Sequence, residues 1–330
     1  MKILIAGMGS IGRRHLRNFQ ALTAGEFLLL RTRRSTLPDD DLEGIPTEHN
    51  LNAALEKHKP DLVVISNPTS LHLDIAIPAA VAGCNLLLEK PISHTMERVS
   101  TLSDIVKQND LRVLVGFQFR FHPGLQYIKA LLEDKAIGPI ISVHAHWGEY
   151  LPAWHPWEDY QKGYAARSDL GGGVLLTLCH PFDYLRWLFG EVVSVSAMMS
   201  HEGGLELEVE DTVNVMLRFA DGVLGTVHLD YIQRPPTHTV EINGQNGRIL
   251  WDNEDGAVRW YQTDKETWQT QEMPVDFERN TLFLEEARHL LSCIEDRTEP
   301  CVNLVDGIAT QKIVLASKQS DSEGKEIAIT

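Results

Sequence analysis

The sequence predicts an α/β protein in two parts. A doubly wound parallel sheet comes first, followed by an α+β domain with a large, open, mainly antiparallel sheet. Three observations predict this. Short apolar runs alternate with helical patterns from Lys2 to Gly116, as in successive βαβ units. The pattern Gly7-x-Gly9-x-x-Gly12 directly follows the first run. After Gly190, apolar and polar residues alternate in segments joined by turns, with no helical pattern between them, which is how an antiparallel sheet reads. A length of 330 residues suits two domains. The change of pattern places the boundary near Arg120, giving domains 1–120 and 121–330.

In order, Lys2 to Ala6 reads as a buried parallel strand and Arg13 to Leu22 as a helix with Ile11, His15 or Leu16, Phe19 and Leu22 on one face. Glu26 to Leu30 and Asp61 to Ser66 are further strands, and Leu73 to Ala82 is a helix stopped by Gly83. Leu86 to Glu89, a helix over Thr95 to Lys107, and Arg112 to Gly116 complete the first domain. In the second, Gly124 to Asp134 and Pro181 to Phe189 read as helices and Ile140 to Trp147 as a strand. Val193, Val195, Ala197 and Met199 alternate on one strand face. Thr212 to Phe219 and Val223 to Tyr231 flank a hairpin turn at Ala220-Asp221-Gly222. Thr237 to Asn243 and Arg248 to Trp251 flank Gly244 to Gly247, and Val258 to Gln262 adds a strand. Helices over Thr281 to Glu295 and Val305 to Lys318 follow, with a short strand near Glu326 to Ile329. An open sheet leaves a face to cover, by a helix or by a second copy of the same sheet, so a homodimer or homotetramer is expected.

Composition narrows the function. Hydrophobic residues make up 43% and charged residues 23%, an ordinary globular balance. A net charge of -16 argues against general nucleic-acid or anionic-membrane binding. Cys84, Cys179, Cys293 and Cys301 form no CxxC pair, and reduced thiols in a cytoplasmic protein are expected. The apolar start is too short for a signal peptide, and no run is long enough to span a membrane.

The glycines between a strand and a helix are a dinucleotide fingerprint. The first allows a tight turn, the second lets the backbone approach a pyrophosphate, and the third lets helix and strand pack closely. Gly7, Gly9, Ser10, Ile11 and Gly12 are therefore cofactor-binding candidates. The second strand ends in Arg31-Thr32-Arg33-Arg34-Ser35, with no acid before Asp39. Arginines and hydroxyls suit a 2′-phosphate, so NADP is expected over NAD. Asn67, Pro68, Thr69 and His72 follow the third strand at the ligand edge of the sheet, where they could touch ribose or diphosphate or simply make a turn.

Glu89-Lys90-Pro91 ends a buried strand at the same edge. The Lys90 ammonium can bond a substrate oxygen and favour the alkoxide that precedes hydride loss, and partial burial would lower its pKa. Glu89 can hold Lys90 or the ribose. The plain alternative is a surface salt bridge before a helix.

These motifs, with Gly116 to Phe121 and with Gly171-Gly172-Gly173 leading to His180-x-x-Asp183, make the chain resemble the glucose–fructose oxidoreductase / inositol dehydrogenase (Gfo/Idh/MocA) family along its whole length. The resemblance implies a Rossmann domain and a second domain carrying substrate and oligomer contacts. It implies that Lys90 is the catalytic or substrate-positioning lysine, that His180 is the acid/base residue, and that Gln118 lies near the nicotinamide. The family commonly carries an aspartate shortly before the histidine; here Thr177 stands three residues before it. Thr177 can bond a hydroxyl but cannot take a proton near neutral pH. Asp183, one helical turn after His180, could orient its ring.

The stretch from Trp147 to Tyr160 is rich in aromatics and leads to Tyr164 and Arg167. Trp157 and Tyr164 are candidates for a wall against sugar rings, and Arg167 or Arg120 could receive a carboxylate or phosphate. Glycines 171–173 would let backbone N–H groups approach a ligand, or form a flexible turn. His146 and His155 stand at no standard ligand spacing, so no metal is assigned. The expected activity is NAD(P)-dependent hydride transfer at a carbinol or carbonyl carbon of a sugar, cyclitol or nucleotide-linked sugar. Alternatives are a redox-neutral epimerase or lyase with retained cofactor, or a non-catalytic NADP-binding sensor.

Overall fold

A computed structural model describes residues 1–32 and 37–329. The first elements are β1 (Lys2–Ala6), α1 (Ser10–Leu22), β2 (Glu26–Leu30), β3 (Thr47–Glu48), α2 (Leu51–His58) and β4 (Leu62–Ile65). Next come α3 (His72–Val81), β5 (Asn85–Leu88), α4 (Val99–Gln108), β6 (Val113–Val115), α5 (Pro123–Glu133) and β7 (Ile140–Gly148). Then follow α6 (Val174–Thr177), α7 (His180–Phe189), β8 (Val192–Ser200), β9 (Thr212–Phe219), β10 (Leu224–Asp230), β11 (Thr237–Gly244), β12 (Gly247–Asp252), β13 (Val258–Gln262) and β14 (Thr267–Gln271). The chain closes with α8 (Arg279–Asp296), α9 (Leu304–Glu323) and β15 (Ile327–Ala328). Among the described residues, no helix is long and apolar enough to cross a membrane.

Contacts divide the chain into two compact units. One holds Met1–Gln118, Asp169–Gly171 and Arg279–Gln311; the other holds Phe119–Ser168, Gly172–Glu278 and Lys312–Thr330. The sequence reading places one boundary near residue 120. The contacts cut at Gln118 and also join Arg279–Gln311 to the first unit. The cause is the apolar stripe of α8, with Leu282, Phe283, Ala287 and Leu290 buried. It packs along α1, where Phe283 meets the His15 ring edge-on at 6.1 Å and lies under the Arg14 guanidinium.

The first unit's sheet is six-stranded and parallel, in the order β3-β2-β1-β4-β5-β6. Ile3 to Ile5, Leu62 to Ile65 and Leu86 to Leu88 are all 0% exposed, as expected of strands covered on both faces. β3 and α2 lie where the sequence reading makes no assignment; Asn50 caps α2 by accepting from Ala53 N at 3.0 Å. α4 begins at Val99 rather than near Thr95, because Arg98 before it adopts a left-handed conformation with φ 63°.

The second unit's sheet is nine-stranded, in the order β14-β13-β12-β11-β7-β10-β9-β8-β15. It is antiparallel except where β10 runs parallel to β7. β9 alternates strictly between buried and outward residues, as one covered face requires. The expectation that Val193 shares a face with Val195 and Ala197 is corrected. The register shifts between Val192 and Ser194, so Val193 is 39% exposed while Val195 and Ala197 are buried.

This unit's core holds an aromatic cluster around Phe119, whose ring meets those of His122, Trp147, His180, Tyr184, His238 and Trp251. His122 also caps α5, its Nδ1 accepting from Gly124 N at 3.1 Å. Burial pushes the His122 pKa down to about 4. In the unfolded chain it titrates near 6.5. Between these values the unfolded state takes a proton that the folded state refuses. Stability therefore falls as pH drops from about 6.5 to 4, by up to about 3 kcal/mol from this group. His72 and His289, also held below their ordinary values by burial, add to the slope. We expect His122→Asn, which keeps a capping oxygen, to flatten the slope in urea unfolding measured across that range. An unchanged slope would refute the assignment.

Candidate dinucleotide and reaction site

In the first unit, the strand order changes direction between β1 and β4. Ligands of such sheets bind at the carboxyl ends of strands beside this switch point. The fingerprint glycines sit there. Gly7 has φ +95°, and a Cβ on it would meet Ser66 and Asn67 backbone at 2.7 Å. A Cβ on Gly12 would strike the Gly7 carbonyl and Ser66 Oγ, so only glycine lets α1 pack this closely. By contrast, nothing lies within 4 Å of where a Gly9 Cβ would be. Gly9 is the N-cap of α1, whose first turn carries no acid. The result is an accessible, positively polarised helix N-terminus suited to a diphosphate.

Ser10 and Ile11 open α1, with Ser10 exposed and Ile11 partly so. Asn67 and Pro68 are partly exposed after β4, whereas Thr69 is buried. Gln118 is also buried. His72 does not fit the cofactor role expected of it. Its ring is 1% exposed, with Nδ1 2.9 Å from the Pro91 carbonyl and Nε2 2.9 Å from the Asn67 carbonyl. His72 thus braces the turn after β4 against the segment after β5.

Glu89 is likewise corrected. It is buried, and its Oε1 accepts from His15 Nε2 at 2.7 Å. Burial penalises the charged carboxylate, but the His15 hydrogen bond and the charges of His15, Lys90 and His72 prevail, holding Glu89 below its ordinary pKa. Glu89 therefore anchors the end of β5 to α1 from beneath, and Lys90 is the partly exposed residue at this edge. The sequence reading missed His15, which it counts only as a candidate for the apolar helix face. It also missed Glu286 on α8, which is 0% exposed. Burial, with the Glu89 charge adding to it, raises the Glu286 carboxyl well above its ordinary pKa.

The basic turn after β2 is partly internal. Arg31 is buried, pairs with Asp39 and donates its backbone N–H to the Glu48 carbonyl at 3.1 Å. Arg13 pairs with Asp41 and lies 3.4 Å from Asp39. Thr32 is exposed, while Arg33 and Arg34 lie outside the described residues. A depression of about 720 Å³, lined by Met1, Asp61 and Asn85 among others, lies at the amino ends of the strands. That is the edge away from the fingerprint.

In the second unit, His180 opens α7 and is 2% exposed, with Phe119 edge-on at 5.2 Å and Trp147 at 5.5 Å. Asp183 and Arg120 depart from their expected substrate roles. Arg120 Nε donates to Asp183 Oδ2 at 2.9 Å and Nη2 to Oδ1 at 2.7 Å. Both are buried, at 6% and 1% exposure. Buried charges persist when paired, so each serves the other. Thr177 is buried at the end of α6. Burial drives the Tyr231 phenol well above its ordinary pKa, and the nearby Thr177 side chain opposes the shift.

The glycine turn is filled by its own chain rather than left open for a ligand. A Cβ on Gly172 would strike the Tyr164 and Ala165 carbonyls. Gly173 has φ +103°, and a Cβ there would strike the Glu210 carboxylate, which accepts from Leu175 N at 3.3 Å. Trp157 is 65% and Tyr164 39% exposed, and Arg167 is also exposed, so these three remain surface candidates.

Two family models cover most of the chain. Residues 1–117 match an oxidoreductase family with an NAD-binding Rossmann fold, and residues 125–250 match the GFO/IDH/MocA C-terminal domain. The chain belongs to the Gfo/Idh/MocA oxidoreductase family. Among its relatives, a levoglucosan dehydrogenase of Pseudarthrobacter phenanthrenivorans is 31% identical over 59% of this chain and 56% of its own. A myo-inositol 2-dehydrogenase of Thermotoga maritima is 24% identical over 100% of this chain and 98% of its own. A 2,7-anhydro-N-acetylneuraminate hydratase of Escherichia coli is 27% identical over 63% of this chain and 56% of its own. The match thus spans little more than half the length of some of these relatives. A solved levoglucosan dehydrogenase in complex with NADH and levoglucosan superposes with a TM-score of 0.88, at 21% identity, over 100% of this chain and 99% of the other. That likeness establishes the shared Gfo/Idh/MocA fold.

Proposed function

We propose that the protein is an NAD(P)-dependent dehydrogenase of a sugar or cyclitol, moving a hydride between nicotinamide C4 and a carbinol carbon. One observation carries this reading: the open Gly9 helix N-terminus and Lys90 stand at the same carboxyl edge of the parallel sheet. A dinucleotide lying on Gly7 to Gly12 and reaching past Asn67 has Lys90 on its path. Lys90 binds and polarises the reacting oxygen, and His180 exchanges its proton. Sugar dehydrogenases among the relatives support the substrate class. Trp157, Tyr164 and Arg167 offer an exposed aromatic and cationic surface for such a substrate. The hydratase relative favours a second reading, a redox-neutral reaction on a retained cofactor. Purified protein screened with NAD⁺ and NADP⁺ against sugar and inositol panels separates the two. Net reduction of the cofactor supports the dehydrogenase; bound cofactor that never accumulates in reduced form sinks it.

For the cofactor we propose NADP(H) over NAD(H). The basic turn favours a 2′-phosphate, although that phosphate must displace Asp39 from Arg31. NADPH is expected to bind more tightly than NADH in a fluorescence titration, and Asp39→Asn to widen the gap. Tighter NADH binding refutes the preference. We further propose a cytoplasmic homodimer or homotetramer. The four cysteines are free thiols. The outward side of the second sheet shows Met198, Met216 and Leu224 at 50% exposure or more, a surface suited to a second copy. Light scattering on the purified protein reports the oligomer.

A further inference from the structure

We propose that His146, His228 and Asp230 form a site for a divalent transition-metal ion, with Zn²⁺ the best match, on the outward side of the second unit's sheet. His146 and His228 are directly paired across the parallel β7–β10 ladder, so their side chains leave the same face. Their rings lie 4.6 Å apart. Asp230, two residues beyond His228, extends the same row. The three possible ligand atoms lie within 4.8 Å of one another. Asp230 Oδ2 is 3.1 Å from His228 Nε2 and 3.9 Å from His146 Nε2. Tetrahedral zinc ligands at ordinary bond lengths stand about 3.3 Å apart, a value between these two.

The surroundings orient the ligands. Asp230 Oδ1 accepts from Ile232 N at 2.9 Å and Gln233 N at 2.8 Å, which turns Oδ2 toward the rings. His228 Nδ1 lies 2.9 Å from Asn214 Oδ1, while its Nε2 faces Asp230. Both ring nitrogens thus face oxygen atoms. A metal ion at Nε2 satisfies the ring and the carboxylate together, with Nδ1–H donating to Asn214 behind it, as metal-bound histidines require. Gln233 Oε1, 2.6 Å from His146 Nε2, supplies a fourth ligand atom. Two imidazoles and a carboxylate favour zinc and its neighbours over magnesium or calcium. The ion would staple the β7–β10 pair.

The test uses tag-free, full-length protein stripped with a chelator and titrated with Zn²⁺ by calorimetry. One zinc per chain and a Tm that climbs with zinc concentration are expected, because an ion bound only by the folded state stabilises it. His146→Ala and His228→Ala, each at a partly exposed sheet position, abolish both signals. Asn214→Ala removes only the support behind His228 and weakens binding about 10- to 100-fold. His144→Ala, in the same outward row but bonded to Thr226, changes nothing. Absence of binding, or zinc held equally tightly by His228→Ala, overturns the site.

Discussion

Replacing Lys90 with alanine lowers turnover about 10²- to 10⁴-fold, the range removed with a positioned proton-transfer group, while NADPH still binds. The structure explains why the two readouts separate. The proposed diphosphate surface is built from Gly7 to Gly12 and the α1 N-terminus, none of which rests on the lysine side chain. Beneath Lys90, Glu89 keeps its His15 partner, so the end of β5 stays anchored to α1. The variant therefore folds with an intact cofactor cradle and lacks only the ammonium. Steady-state kinetics with the best substrate from the panel, together with NADPH fluorescence, checks this. Turnover within twofold of the starting protein would remove Lys90 from the mechanism.

The second large effect falls on stability. Asp183→Ala leaves the Arg120 guanidinium buried without its bidentate carboxylate. Breaking such a pair from one side costs about 3–5 kcal/mol. Arg120→Met with Asp183→Leu removes both charges and is expected to recover most of that loss, since apolar replacements of buried pairs are often close to neutral. Urea unfolding of the two variants measures the difference. Had Arg120 been a substrate anchor, Arg120→Met would instead raise KM in a protein of normal stability. That outcome would make Arg120 a substrate ligand rather than the buried partner of Asp183.

Much of the first unit is legible in sequence because its signals are local. A strand, a glycine turn and a helix start within Lys2 to Leu22 dictate their own geometry, and the structure gives Gly7 a positive φ in a tight turn, Gly12 a close approach to Gly7 and Ser66, and Gly9 open space. Glu89-Lys90-Pro91 is legible as a motif, but the division of labour within it is not. Nothing near residue 89 indicates that His15 claims the glutamate, since that contact forms only when β1, β4 and β5 align. His72 fails as a cofactor ligand for the same reason. Two carbonyls brought together by folding take both ring nitrogens.

The sequence by itself determined the two-part architecture, the dinucleotide fingerprint and the lysine at the sheet edge. Each depends on periodicity or on residues adjacent in the chain. The tertiary structure alone decided that α8 returns to the first unit, that Arg120 and Asp183 neutralise each other, and that His146 meets His228 and Asp230. These are pairings between residues distant in sequence. Their physical basis is the demand that buried charge find a partner and buried apolar stripes find a surface, and only the folded chain shows which partner is within reach.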